Sequence, residues 1–177
     1  MIPANITNVP LILVRGLPHS GKSMIARTIA SQVPNAEVIE FQQVWDNNLD
    51  KLGALGIGEP HKQYRYTLED LLIAAQESMM HGAVPVIVHN FARMGELAMF
   101  IKPAKAALIV DVLIVADNVR KLDAGQLARQ KRIQAQYQAL SFYPPITLAP
   151  LTVLRNPSDN TIAIHYAQFT ATTETQP

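Results

Sequence analysis

The stretch Gly16-Leu17-Pro18-His19-Ser20-Gly21-Lys22-Ser23 constrains this chain more than any other. It satisfies G-x-x-x-x-G-K-[ST], the pattern of a phosphate-binding loop. The apolar run Val9-Pro10-Leu11-Ile12-Leu13-Val14 precedes it, and a stretch with helical character, Ser23 to Ala30, follows it. Strand, glycine loop and helix in that order arrange successive backbone N–H groups into a cup for phosphate oxygens, at the positive end of a helix. The glycines let the backbone come close to the ligand. Lys22 is then expected to reach the β- and γ-phosphates, and the Ser23 hydroxyl to hold Mg²⁺. Gly16, Leu17, Pro18, His19, Ser20, Gly21, Lys22, Ser23 and Met24 are the expected nucleotide-binding residues. The nucleotide is ATP or GTP, because no base-reading motif is evident.

A length of 177 residues argues for one domain, and 49% hydrophobic residues supply its core. Fifteen basic and 14 acidic residues leave a net charge of +1. The chain is therefore no global polycation, and contact with nucleic acid would need a local patch. It has no cysteine, which excludes disulfides and thiolate metal sites and fits a reducing compartment. Met1 to Asn5 lack the basic and apolar regions of a signal peptide. The longest apolar region, Ala106 to Ala116, is interrupted by Asp111 and is too short to span a bilayer. A cytoplasmic protein without a membrane partner is expected; the oligomeric state is not legible.

Val9 to Arg15 reads as a first strand covered on both faces. A helix is expected from Gly21 to Ser31, and a short strand over Ala36 to Glu40. Phe41 to Tyr66 reads as irregular, broken by Gly53, Gly56, Gly58 and Pro60. Its rings and cations (Trp45, Lys51, His61, Lys62, Tyr64, Arg65, Tyr66) either meet a nucleotide end or pack on the core. Thr67 to His81 reads as a helix capped by Thr67, with Leu68, Leu71, Leu72, Ala75 and Met79 as its apolar stripe. Val84 to Val88 is a third strand and Leu108 to Val115 a fourth. Between them Arg93 to Lys105 is expected to be helical, disturbed by Pro103. Asp123 caps a long helix to Leu140, with Leu127, Ile133, Tyr137 and Leu140 on one side. Leu151–Arg155 and Ile162–Tyr166 flank a turn-rich segment and predict a β-hairpin; Thr170 to Pro177 is a polar tail.

Alternating strands and helices predict an α/β fold with a parallel sheet, and with the loop pattern above they resemble the three-layer P-loop NTPase fold. Residues 1–140 form its domain; residues 141–177 form a C-terminal hairpin extension and tail, not a separate domain. Ligands of such sheets sit at the carboxyl ends of the strands. That rim carries the phosphate loop, the segment after Glu40, His89-Asn90 and the segment after Asp117.

Gly-Leu-Pro-x-Ser-Gly-Lys-Ser resembles the loop of P-loop kinases of the polynucleotide-kinase-like group. His81 to Asn90 resembles that group's helix, Gly, apolar strand and Asp-Asn-Thr segment. Asn118-Val119 and the following helix with Arg129 and Arg132 resemble its lid. The resemblance covers roughly residues 9–140. It implies transfer of the γ-phosphoryl group of ATP to a hydroxyl, in that group the 5′ end of a polynucleotide. The work of such a site is positioning and charge stabilisation. The group carries Asp or Asp-Asp after the second strand, where this chain has Gln42-Gln43. A glutamine amide accepts no proton at neutral pH, so Glu40 or Asp46 is left as the candidate base. His89 stands in place of the group's Asp, while Asn90 is kept; His89, Asn90 and Arg93 are candidate substrate contacts. Arg129, Arg132 and Arg120 are the candidate lid cations, suited to clamp phosphates bidentately. Ala107 to Asp111 mimics the apolar run and aspartate with which many ATPases bind metal. The apolar run continues past it, so Asp111 is placed within the strand and not as a ligand.

The expected function is an ATP-binding kinase acting on a polynucleotide or nucleotide hydroxyl. Two alternatives stay open. One is a kinase of small molecules, like the zeta-toxin group; the other is a nucleotide-binding protein with little or no turnover.

Overall fold

The computed structural model describes residues 9–104, 106–114, 122–140, 147–156 and 161–166. Arg120, the Asn118-Val119 stretch, the C-terminal tail, and the side chains of Ile133, Tyr137 and Leu140 lie outside the described residues. The elements run β1 (Ile12–Gly16), α1 (Lys22–Ala30), β2 (Ala36–Glu40), α2 (Phe41–Ala54), α3 (Pro60–Met80), β3 (Val84–Val88), α4 (Met94–Ile101), β4 (Ala106–Ile114), α5 (Ala124–Leu140), β5 (Thr147–Arg155) and β6 (Ile162–Tyr166). They build one sheet in the order β2-β3-β1-β4-β5-β6. The first five strands are parallel, and β6 returns antiparallel to β5.

Strand alternation divides the apolar residues between two cores. Ile12, Val14, Val86, Val88, Leu108, Val110 and Val112 meet Ile25, Ala26 and Ile29 of α1 on one face. Leu11, Leu13, Ile87 and Ile109 meet Leu68, Leu71 and Ala75 of α3 and Leu97, Phe100 and Ile101 of α4 on the other. Both faces are covered, which is why the strands read as continuous apolar runs. Each large side chain buried there contributes about 1.5–3 kcal/mol.

The expected irregular segment at Phe41 to Tyr66 is instead helical. α2 starts directly after β2, and α3 begins at Pro60, seven residues before the expected cap. Thr67 lies inside α3, where its hydroxyl donates to the Gln63 carbonyl. Pro60 is a first-turn proline, compatible with a helix start. Only the bend around Gly56, at φ 73°, separates the two helices. Two local signals hid α2. Its inner stripe of Phe41, Val44 and Leu52 is interrupted by buried Asn48, whose amide donates to Asp70 on α3 at 2.8 Å. Its N-cap, Glu40, makes no capping bond, because its carboxylate is engaged elsewhere. Asp123 does cap α5: it accepts from Gln126 N–H at 2.7 Å, while Gln126 accepts from Asp123 N–H.

The C-terminal strand pair extends the sheet itself. β5 aligns in parallel with β4 from Ala106↔Thr147 to Ile114↔Arg155. α5 is tied back to β4 by buried Gln130, which accepts from Ile114 N–H and donates to the Ile114 carbonyl, both at 3.0 Å. No helix among the described residues is long and apolar enough to cross a membrane.

Under the sheet rim lies an ion pair absent from the sequence reading. Arg15 and Asp111 are neighbours in the β1–β4 register, and both are fully buried. The guanidinium donates through Nε and Nη2 to the two carboxylate oxygens. This engagement, with β4 continuing to Ile114, is the physical reason Asp111 is no rim ligand. Removing one partner of a buried pair leaves a charge stranded. Asp111→Ala is expected to cost about 3–5 kcal/mol in urea unfolding, and Arg15→Met with Asp111→Leu to recover most of it. A loss below about 1 kcal/mol for the single variant would contradict this role.

Candidate active site

β1 lies between β3 and β4, and its two neighbours belong to different directions of travel. The chain leaves β1 through α1 toward β2, and leaves β3 through α4 toward β4. Connections that part on opposite sides open a crevice at the carboxyl ends of the strands. A cleft of about 680 Å³ occupies that place. Gly16, Leu17, Pro18, His19, Lys22 and Ser23 line it from the loop, Glu40, Phe41, Gln42 and Tyr64 from β2, α2 and α3, and Val88, His89, Asn90, Ala92, Arg93, Arg129 and Arg132 complete it.

The loop's shape depends on backbone that few residues tolerate. Gly16, His19 and Gly21 have φ of 156°, 61° and 92°. A side chain at Gly16 would meet the Val112 carbonyl oxygen at 2.5 Å, and one at Gly21 would meet Arg155 Nη1 at 2.8 Å. The Ser20 hydroxyl, buried in the loop, has no hydrogen-bond partner among the described residues. Lys22 Nζ donates to the Leu17 carbonyl at 2.7 Å, arching over the cup. Burial lowers the Lys22 pKa to about 8, the nearby Glu40 carboxylate opposing the shift.

Glu40 reaches across from the end of β2. One oxygen accepts from the Ser23 hydroxyl at 2.7 Å, and the other from Arg27 Nη2 at 3.0 Å. The position expected to hold Mg²⁺ thus already carries a hydroxyl and a carboxylate side by side. These are hard oxygen donors, the type that ion takes. Asp46, the other candidate base, does not line the cleft; it is exposed on α2 and accepts from the Gln42 amide at 2.8 Å.

His89 continues the ladder beyond β3, its N–H donating to the Val14 carbonyl at 3.1 Å. Its ring is packed by Phe41 (centroids 4.2 Å apart) and edge-on by Phe91 (5.1 Å). Nε2 lies 2.9 Å from the Tyr64 hydroxyl, which donates to Glu96 Oε1 at 3.0 Å. Burial, then the Lys22 charge, lowers the His89 pKa to about 4, so the ring is neutral at pH 7. Burial and Glu96 raise that of Tyr64, which keeps its proton.

Of the expected site residues, the cleft gathers Gly16 to His19, Lys22, Ser23, Glu40, His89, Asn90, Arg93, Arg129 and Arg132. Ser20, Gly21 and Met24 do not line it, and Met24 is exposed. Of the rings and cations of 41–66 weighed for a nucleotide end, Tyr64 alone lines it. Lys62 and His61 pair with Glu59, Arg65 with Glu69 and Lys51 with Asp70 at the surface. Phe41, Glu96 and Arg155 escaped the sequence reading. Phe41 opened the segment read as irregular, Glu96 stood within an expected helix without a motif, and Arg155 reaches Gly21 only because β5 lies beside β4.

No protein-family model matches the chain, and no curated protein matches it in sequence. Its structure is similar to an unliganded sugar kinase from a Janibacter species, with 15% identity and a TM-score of 0.51 over 81% of this chain and 85% of that one. Weaker likenesses are the kinase domain of an Escherichia coli tyrosine kinase (14%, TM-score 0.47, 85% and 68%) and thymidylate kinase from Candida albicans (12%, TM-score 0.42, 89% and 97%). Identities this low speak for fold and not for substrate. A phosphate loop after the central strand of a five-stranded parallel sheet, together with the first likeness, gives this chain the P-loop kinase fold.

Proposed function

We propose that the protein is an ATP-dependent phosphotransferase of the polynucleotide-kinase-like type. It passes the γ-phosphoryl group to a hydroxyl on a nucleotide or on the 5′ end of a polynucleotide. The observation that carries this reading is the charge of the cleft at the loop. Lys22, Arg93, Arg129 and Arg132 line it together, with Glu40 as the carboxylate among the lining residues. One polyphosphate uses part of that excess. The remainder favours an acceptor that bears phosphate itself, over an uncharged sugar.

The roles follow from the geometry. The loop amides and Lys22 hold the β- and γ-phosphates. Ser23, with Glu40 against it, would hold Mg²⁺, which when bound supplies positive charge to the transferring group. Arg129 and Arg132, one helical turn apart on α5 and both lining the cleft, serve as the lid cations that offset charge in the transition state. Glu40 is better placed to order the metal shell than to take the acceptor's proton, since both its oxygens are engaged.

The direct test is single-turnover transfer from γ-labelled ATP to 5′-hydroxyl oligonucleotides, nucleoside monophosphates and a panel of sugars. Label on nucleic acid or nucleotide is expected; label on sugars alone would overturn the acceptor class. Lys22→Ala is expected to weaken MgATP binding about 100-fold or more. Glu40→Gln is expected to lower kcat at least about 50-fold, while affinity for metal-free ATP stays within threefold (roughly) of wild type. Unchanged kcat at saturating Mg²⁺ would remove Glu40 from the reaction.

Nucleotide affinity should also depend on pH. In the protein alone Lys22 titrates at about 8, and a bound polyphosphate raises that value. Binding is therefore strongest below pH 8 and weakens as pH rises through it, by up to about tenfold per pH unit. Calorimetry at pH 8.5 (roughly) in two buffers should read proton uptake on binding. Its absence would show that Lys22 keeps its proton without the ligand.

A further inference from the structure

The geometry points to a further role within the proposed phosphotransferase: His89 Nδ1 accepts the hydrogen bond of the attacking hydroxyl, and Tyr64 with Glu96 holds the ring for that purpose. The inference rests on the phosphotransferase reading and goes beyond it by naming the group that receives the proton.

The chain of hydrogen bonds assigns the histidine's tautomer. Tyr64 has one hydroxyl hydrogen, and it is directed to Glu96 Oε1 at 3.0 Å. The Tyr64 oxygen 2.9 Å from His89 Nε2 is then an acceptor, so Nε2 carries the ring hydrogen. In a neutral ring Nδ1 is left with the lone pair. No hydrogen bond to Nδ1 is made among the described residues. A nucleophile's partner base, oriented in turn by a third group, is the arrangement expected of an activated hydroxyl.

Three independent features mark this corner as built. Glu96 is buried at the N-terminal turn of α4, where it also accepts from Arg93 N–H at 3.3 Å and where the helix favours its charge. Phe91, just beyond His89, is fully buried with φ of 43°, a conformation costly for a bulky side chain. Its ring packs edge-on against both His89 and Phe100. Lastly, His89 lines the same cleft as Lys22 and Glu40. The three rings and one strained peptide fix a neutral imidazole next to the phosphate loop.

The step balances as follows. The acceptor oxygen forms a bond to the γ-phosphorus, and its proton moves to His89 Nδ1. The bond from the γ-phosphorus to the β,γ-bridging oxygen breaks, its electron pair staying on ADP. The imidazolium so formed releases its extra proton to solvent once product leaves. Lys22, whose charge disfavours that imidazolium in the protein alone, is offset by the polyphosphate during the reaction. The same division of labour leaves Glu40 to the metal shell.

The test pairs kinetics with nitrogen NMR on the full chain. Wild-type protein labelled with ¹⁵N-histidine is expected to show His89 with Nε2 protonated and Nδ1 bare. His89→Gln is expected to lower the single-turnover rate with MgATP and a 5′-hydroxyl oligonucleotide about 100-fold, with MgATP affinity within about threefold. Tyr64→Phe, which keeps the ring packing, is expected to lower that rate about tenfold and to give a mixture of His89 tautomers. A protonated Nδ1 in the wild type, or transfer that survives both substitutions, overturns the inference and leaves the phosphotransferase reading intact. Wild-type protein that binds MgATP but transfers to no hydroxyl overturns both.

Discussion

The register of β1 between its two neighbours is the constraint on which the site depends. Pairing with β4 sets Gly16 beside Val112; pairing with β3 sets Val14 beside Val88, and His89 N–H bonds the Val14 carbonyl. Those two alignments bring the loop and His89 to the same height on the rim. The fit leaves no room at the turn itself. The Val112 carbonyl stands where a β-carbon on Gly16 would lie, so the loop leaves the sheet at a residue without one. A slip of one residue would turn every strand side chain to the wrong face and carry the loop off the crevice.

Polar groups inside this protein hold positions more than they add stability. Arg15 and Asp111 join β1 to β4 immediately beneath the loop. Gln130 fastens α5, with its two arginines, to the end of β4. Asn48 joins α2 to α3 behind the cleft wall. Each interaction ties an element that carries a site residue to its neighbour, and each would cost more to break than it contributes net. The surface ion pairs of α3 are different: they are exposed, screened and worth little.

Burial also sets the charge state of the cleft. Lys22 and His89 are drawn from water into one small volume, and both lose affinity for protons. At neutral pH Lys22 therefore still carries most of its charge, and above about pH 8 an anion entering the cleft restores it. Glu40 opposes that loss for Lys22 and accepts from the Ser23 hydroxyl, linking the two loop residues through one carboxylate.

Local chemistry in the sequence determined the loop, the parallel α/β class, and which strand ends share the rim. An eight-residue spacing and runs of apolar residues need no distant partner to be read. Arg129 and Arg132 were legible too, since three positions along a helix share a face. The sequence misled at Phe41 to Tyr66, where helices depend on tertiary contacts. Asn48 finds its partner on α3, and Glu40, at the N-cap position of α2, accepts from Ser23 instead. The tertiary structure alone decided that Tyr64 and Glu96 orient His89, that Asp111 belongs to Arg15, and that Arg155 crosses Gly21. The residues concerned are separated by 25, 32, 96 and 134 positions or so along the chain, and no propensity or periodicity links groups that meet only when strands pair.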